Sequence, residues 1–244
     1  MLEAIKGLFA RAARRAEGDA IAGWAKRSGH VYKREKDGDG FAIDGRFEGT
    51  PWRLEWSRPQ RSYIEGHELR LRMVLGLPPD LQMVLMTKPL RERLANDAFE
   101  QATQSNQTAV NDVAGEEARW LVVFPKISLA GSQILRNCFA GVSSLPHEGQ
   151  AWLEGPLSHG LERAAASWLN TQPPFLLMTL RGRIYLRLQL ASADEQDIAA
   201  AVTLFAIAAA SARRVARARG DEPVSWSAST TSAWQSLPPA RDGH

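Results

Sequence analysis

Trp52, Trp56, Arg53, Arg70 and Arg72 come closest to a shared chemistry in this chain. Aromatic rings interleaved with guanidinium groups are what a sheet that binds single-stranded nucleic acid offers to bases and phosphates. The phase of the residues opposes that reading. Side chains alternate between the faces of a strand, so Trp52 and Trp56 share a face with Leu54, Leu69 and Leu71, while Arg53, Arg70 and Arg72 share theirs with Glu48, Glu55 and Glu68. The indoles are therefore expected in a core. The arginines and glutamates are expected on a solvated face with weak cross-strand ion pairs, where a carboxylate or phosphate ligand has a place to bind.

Other constellations fail on spacing. Asp37, Asp39 and Glu48 fit positions one, three and twelve of a calcium loop, but Phe41 and Ala42 stand where an oxygen ligand and a glycine are required. Four of the histidines, at 30, 67, 147 and 159, and the fifth at 244 show no ligand-type spacing, and Cys138 has no second cysteine. Ser158 and His159 are adjacent, so on a helix they point about 100° apart and cannot pair as nucleophile and base. Cys138 falls on the apolar side of a short helical pattern and reads as a buried structural residue. Carboxylates such as Glu65, Glu68, Glu116 and Glu117 read as solvated. No catalytic residue, metal site or cofactor is nominated, and a non-enzyme is favoured.

Charge is concentrated near the ends. The 244 residues carry a formal net charge of +3. Residues 1–36 hold nine Lys/Arg and four Asp/Glu, residues 37–212 hold sixteen and twenty, residues 213–219 add four arginines, and residues 220–244 hold one arginine and three acids. A body of mildly acidic balance speaks against nucleic acid as a partner. Lys6, Arg11, Arg14 and Arg15 lie off an apolar stripe of Leu2, Ile5, Leu8, Phe9, Ala12 and Ala13, which defines an amphipathic basic helix region over 1–28. Such a helix docks on its own fold or on a partner, or lies on an anionic membrane surface. A single cysteine points to a reducing, cytoplasmic setting, and the N-terminus lacks the h-region of a secretory signal.

These residues are positioned by elements that follow from periodicity. Period-two alternation from 30 to 87 predicts about five antiparallel strands, with a hairpin at Asp37-Gly38-Asp39-Gly40 and Phe41, Ile43 and Phe47 facing inward. A helix is expected from Pro89 to about Gln104, then a polar loop over 105–117, a buried strand over 120–127, a short helix through Cys138 and Phe139 ended by Gly141, and a loop over 141–155. A helix follows from Pro156 to Leu169. Residues 175–190 form a hairpin turning near Arg181-Gly182, with Ile184, Leu186 and Leu188 inward and Arg183, Tyr185 and Arg187 outward. Ser192 and Glu195 have capping-box spacing ahead of a long C-terminal helix whose middle, 198–210, is apolar on all sides.

The expected fold class is α+β: an antiparallel β-meander packed on one face by helices, with the amphipathic N-terminal helix and the long C-terminal helix. A compound domain spans 29–219, with halves at 29–105 and 117–219. The Ser/Thr/Pro-rich segment 220–244 reads as a flexible tail in which Trp226 and Trp234 are contact candidates. The expected function is that of a non-catalytic cytoplasmic binding or adaptor protein, acting through a protein partner or self-association. Membrane attachment through the N-terminal helix is the alternative, followed by an enzyme whose site is assembled from distant residues.

Overall fold

Alternation of apolar and charged residues along β1 (Val31–Arg34), β2 (Phe41–Phe47), β3 (Thr50–Ser57) and β4 (Glu68–Val74) builds a four-strand meander. The computed structural model describes residues 17–35, 40–104, 116–129 and 131–221. The meander is half of an eight-stranded antiparallel sheet that continues through β5 (Met83–Thr87), β6 (Phe139–Ser143), β7 (Phe175–Leu180) and β8 (Arg183–Gln189), in the order β1-β2-β3-β4-β8-β7-β5-β6. The chain is thus α+β. The strand 83–87 does not extend the meander as its neighbour in sequence suggests: β8 and β7 lie between it and β4, and it pairs instead with β6 and β7.

The register explains both faces. On one face the row Ile43, Leu54, Leu71, Leu186, Leu177 and Leu85 runs across six strands, and all six residues are buried. Helices α1 (17–27), α4 (Gln133–Cys138), α5 (Pro146–Leu153), α6 (Pro156–Ala165) and α7 (Glu195–Asp221) cover this face through Ile21, Leu135, Trp152, Leu161 and Phe205. Trp52 and Trp56 are 2% and 7% exposed within that core. The Trp56 indole donates to the Leu190 carbonyl at 2.9 Å, and Phe47 stacks on Trp52.

The opposite face changes character halfway across the sheet. The row Asp44, Arg53, Arg72 and Tyr185 continues as Met178, Val84 and Val142. The apolar part is covered by α2 (Lys88–Gln104) and α3 (Glu116–Val123), whose Leu90, Leu94 and Trp120 are buried against it. Among the described residues no helix covers the charged part.

Several expected elements are corrected. Residues 120–127 are not a strand: α3 runs to Val123, and only Lys126 forms a bridge, to Val142. Ala118 and Trp120 are buried while Val122 and Val123 are exposed, so the short apolar run had fitted either period. The helix through Cys138 stops there, and Phe139 opens β6 within what had read as helix and loop. Residues 146–153 form α5, and α6 ends at Ala165 rather than 169. Gly18, a poor helix former, lies inside the helical stretch 17–27. The N-cap acceptor of α7 is Asp194, which receives the Gln196 and Asp197 amides, while Ser192 donates to Glu17. α7 is long and apolar enough to cross a membrane, with a hydropathy of 1.5, but 56% of that window is buried against the protein, which accounts for its composition.

Candidate anion-binding face

The open half of the second face carries the candidate site. Its floor is β2, β3, β4 and β8, packed on the core beneath, so the outward side chains stand at fixed cross-strand positions. Arg53 lies directly opposite Arg72, Arg72 opposite Tyr185, and Arg70 opposite both Glu55 and Arg187. Like charges placed directly across a ladder repel. Two such pairs lie side by side, Arg53 with Arg72 and Arg70 with Arg187, the first bridged by Glu55 and the second by Glu68.

Three contiguous concavities make up the face. One of about 690 Å³ is lined by Arg46, Arg53, Arg72 and Arg183 with Asp44. A small one of about 120 Å³ is lined by Glu55, Arg70, Arg72, Tyr185 and Arg187, and a third of about 430 Å³ by Arg61, Arg181, Arg183, Tyr185 and Arg187. Together they hold eight arginines, while Asp44, Glu55 and the buried Glu68 and Glu117 supply four carboxylates, leaving an excess of four positive charges.

Glu65 is exposed as expected, but Glu68 and Glu117 are not solvated. Glu68 is 0% exposed and Glu117 1% exposed. The loop before β4 folds over Glu68, so its Oε2 accepts the Gln60 amide at 2.7 Å and an Arg70 N–H at 3.3 Å, while Arg187 donates to Oε1. Glu117, from α3, accepts Arg61 Nε at 2.7 Å and the Tyr63 hydroxyl at 3.4 Å. Burial and then the Glu117 charge push the Tyr63 hydroxyl pKa up. Burial opposes ionisation of Glu55 and Asp44, but Arg53 on Glu55, and Lys33 and Arg53 on Asp44, outweigh it and hold both carboxyls below their usual range.

Even so, the guanidinium groups are not all used. Arg70 and Arg187 each have a buried Nε with no hydrogen-bond partner. Among the described residues the Arg72 side chain meets only Glu55, at 3.8 Å, and the Arg183 side chain has no hydrogen bond or ion pair. Arg53 is the most engaged, with Nε on Glu55 at 2.7 Å and Nη1 on Asp44 at 3.1 Å. Among the described residues no cluster of His, Cys, Asp and Glu has the form of a metal site.

Of the residues singled out from sequence, Arg53, Arg70 and Arg72 come together here. Lys6, Arg11, Arg14, Arg15, Trp226 and Trp234 lie outside the described residues, as do residues 37–39 of the hairpin, although β1 and β2 do pair, with Arg34 opposite Phe41. The described part of the N-terminal region, α1, packs Ile21 and Ala25 into the core. Arg61, Arg183, Tyr185 and Arg187 complete the face and were not nominated. Their signal was the outward phase of Arg183, Tyr185 and Arg187, but nothing in the sequence pairs β8 with β4. The arginines of α7 are occupied elsewhere: Arg213 reaches Thr50, Arg214 the Ala151 carbonyl, and Arg219 both oxygens of Asp80.

No protein-family model matches this sequence, and no curated protein matches it. Among solved structures, the crystal structure of the mycobacterial trehalose monomycolate transport factor A, TtfA, is similar with a TM-score of 0.47 and 9% sequence identity, over 82% of this chain and 96% of that one.

Proposed function

We propose that this protein is a non-catalytic binding protein whose open arginine face holds an acidic segment of a protein partner. The observation that carries this reading is the surplus of guanidinium groups on a sheet face left open by the described residues, where eight arginines outnumber four carboxylates and Arg72 and Arg183 are the least engaged. Planar guanidinium forks favour carboxylates in fixed geometry. The buried acids are engaged by arginine, which favours binding over acid–base chemistry. Both indoles of β3 belong to the opposite face, leaving Tyr185 as the ring aligned with the arginines, so a protein carboxylate suits the surface better than stacked bases. The lone Cys138 supports a cytoplasmic setting.

The test is fluorescence anisotropy of a labelled glutamate-rich peptide, with a single-stranded oligonucleotide as comparison. The peptide should bind, weaken as salt rises, and lose about tenfold in affinity to Arg72→Glu/Arg183→Glu, a difference of about 1.4 kcal/mol. Equal binding by that variant, or tighter binding of the oligonucleotide, overturns the proposal.

A further inference from the structure

We infer that the groove between α2, α3 and β6 binds a single-chain amphiphile with an anionic head group. The groove encloses about 730 Å³, within the range of roughly 300–1,000 Å³ of small-molecule sites. It exists because Ala95, Ala98, Ala118 and Ala140 stand where larger apolar side chains would fill the gap between the helical layer and the sheet. The walls are Leu121, Ile127 and Val142, and Phe99 and Val122 at its border are 70% and 80% exposed. An apolar surface of this kind left uncovered by the described residues is the mark of a site for an apolar ligand.

The charged groups of the groove are all of one sign. Among the described residues Lys88, Arg91, Lys126 and Arg136 line it and no carboxylate does; Arg136 donates to Gln133, whereas the side chains of Lys88, Arg91 and Lys126 have no hydrogen bond or ion pair. Lys88 and Arg91 sit in the first turn of α2, which carries no acidic residue. Cations there oppose the positive end of the helix dipole and are unfavourable without a counter-charge. A local rule broken in this way points to a ligand that restores the balance. An anionic head group between Lys88 and Arg91 does so.

The arrangement is polar along its length. Lys88, Arg91, Ala95 and Ala98 follow at steps of three and four, so they share one face of α2, with charge first and alanine-lined space beyond. The run from Lys88 to Phe99 covers about 16 Å at 1.5 Å per residue. A head-and-tail molecule matches this sequence of environments. An acidic amphipathic helix, read at i, i+3, i+4 and i+7, would need its counter-charges spread along the groove instead.

The experiment is isothermal titration of the full chain with dodecanoate below its micelle concentration, with dodecyltrimethylammonium and acetate as chain-matched and head-matched comparisons. Dodecanoate should bind, while the cationic amphiphile and acetate should bind at least about tenfold more weakly. Ala98→Trp fills the tail space on an accessible helix face and should weaken dodecanoate about tenfold with the circular dichroism spectrum unchanged. Lys88→Glu/Arg91→Glu should weaken dodecanoate and strengthen the cation. No dodecanoate binding, equal binding by wild type and Ala98→Trp, or equal binding of both head groups overturns the inference. Complete displacement of dodecanoate by an acidic amphipathic peptide of micromolar affinity also overturns it, in favour of a protein-docking groove.

Discussion

Glu68 shows how a single buried charge organises its surroundings. Its carboxylate separates Arg70 from Arg187, which the ladder would otherwise set directly against each other. Removing one partner of a buried ionic cluster leaves the others uncompensated, at a cost of roughly 3–5 kcal/mol, whereas replacing the whole cluster by apolar groups is often neutral. Glu68→Gln should therefore lower the urea midpoint by an amount corresponding to about 3 kcal/mol, and Glu68→Leu/Arg70→Met/Arg187→Met should restore most of it. A loss below about 1 kcal/mol for the single variant would show that the carboxylate does not clamp the arginines. Asp44 and Glu55 add a pH dependence of definite sign. Their carboxyls are lowered in the folded state, so the unfolded chain binds more protons near pH ~4. Their stabilisation is complete above that unfolded range and is lost as pH falls through the folded values. Urea midpoints between pH 7 and pH 3 should fall toward acid, and Asp44→Asn/Glu55→Gln should start lower at neutral pH and fall less steeply.

At the scale of elements, the tight turns are the clearest local constraint. Glu48 and Gly49 both have positive φ, at 48° and 78°, and so do Arg181 and Gly182, at 49° and 74°. That is the conformation of a two-residue type I′ hairpin, for which Asn-Gly is strongly preferred. Among the described residues the Glu48 side chain makes a single ion pair, 3.4 Å to Arg213, and it is 78% exposed. Glu48→Asn should therefore raise stability by about 0.5–1 kcal/mol, read as a higher thermal midpoint, since a Cβ-bearing residue other than Asn is disfavoured there. An unchanged or lower midpoint would mean that the Arg213 contact outweighs the backbone preference. The Arg181-Gly182 turn was legible in the sequence, as were β1 to β4, because alternation and glycine act locally. α3 and β6 were not. Their runs, 120–127 and 138–143, are short and apolar, and which period applies is decided by what they pack on: Trp120 on the sheet, and Phe139 in a ladder opposite Thr87. The arginine face was half legible for the same reason. Arg53, Arg70 and Arg72 follow from phase along their own strands, whereas Arg187 reaches them only through a pairing more than a hundred residues away in sequence.

That distant pairing sets the behaviour of the whole molecule. β8 lies between β4 and β7, and β5, from the first half of the chain, sits between β6 and β7 from the second. α7 then crosses the common face, with Arg213 tied to Thr50 and Arg219 to Asp80, both in the first half. A division near residues 105–117 therefore does not separate two cores. A fragment ending at residue 104 would leave β5 without either partner and β4 with an open edge, and would expose Leu54, Leu69 and Leu71 where α7 and β8 now cover them. Uncovering that much apolar surface removes more than the few kcal/mol by which a domain is stable. Residues 1–104 and 105–244 expressed separately should each lack dispersed amide resonances in NMR spectra, and the full chain should unfold in one transition with coincident fluorescence and circular dichroism midpoints. A dispersed spectrum from either fragment alone would show that the seam between β4 and β8 joins two independent units, and the arginine face built across that seam would then depend on how firmly they dock.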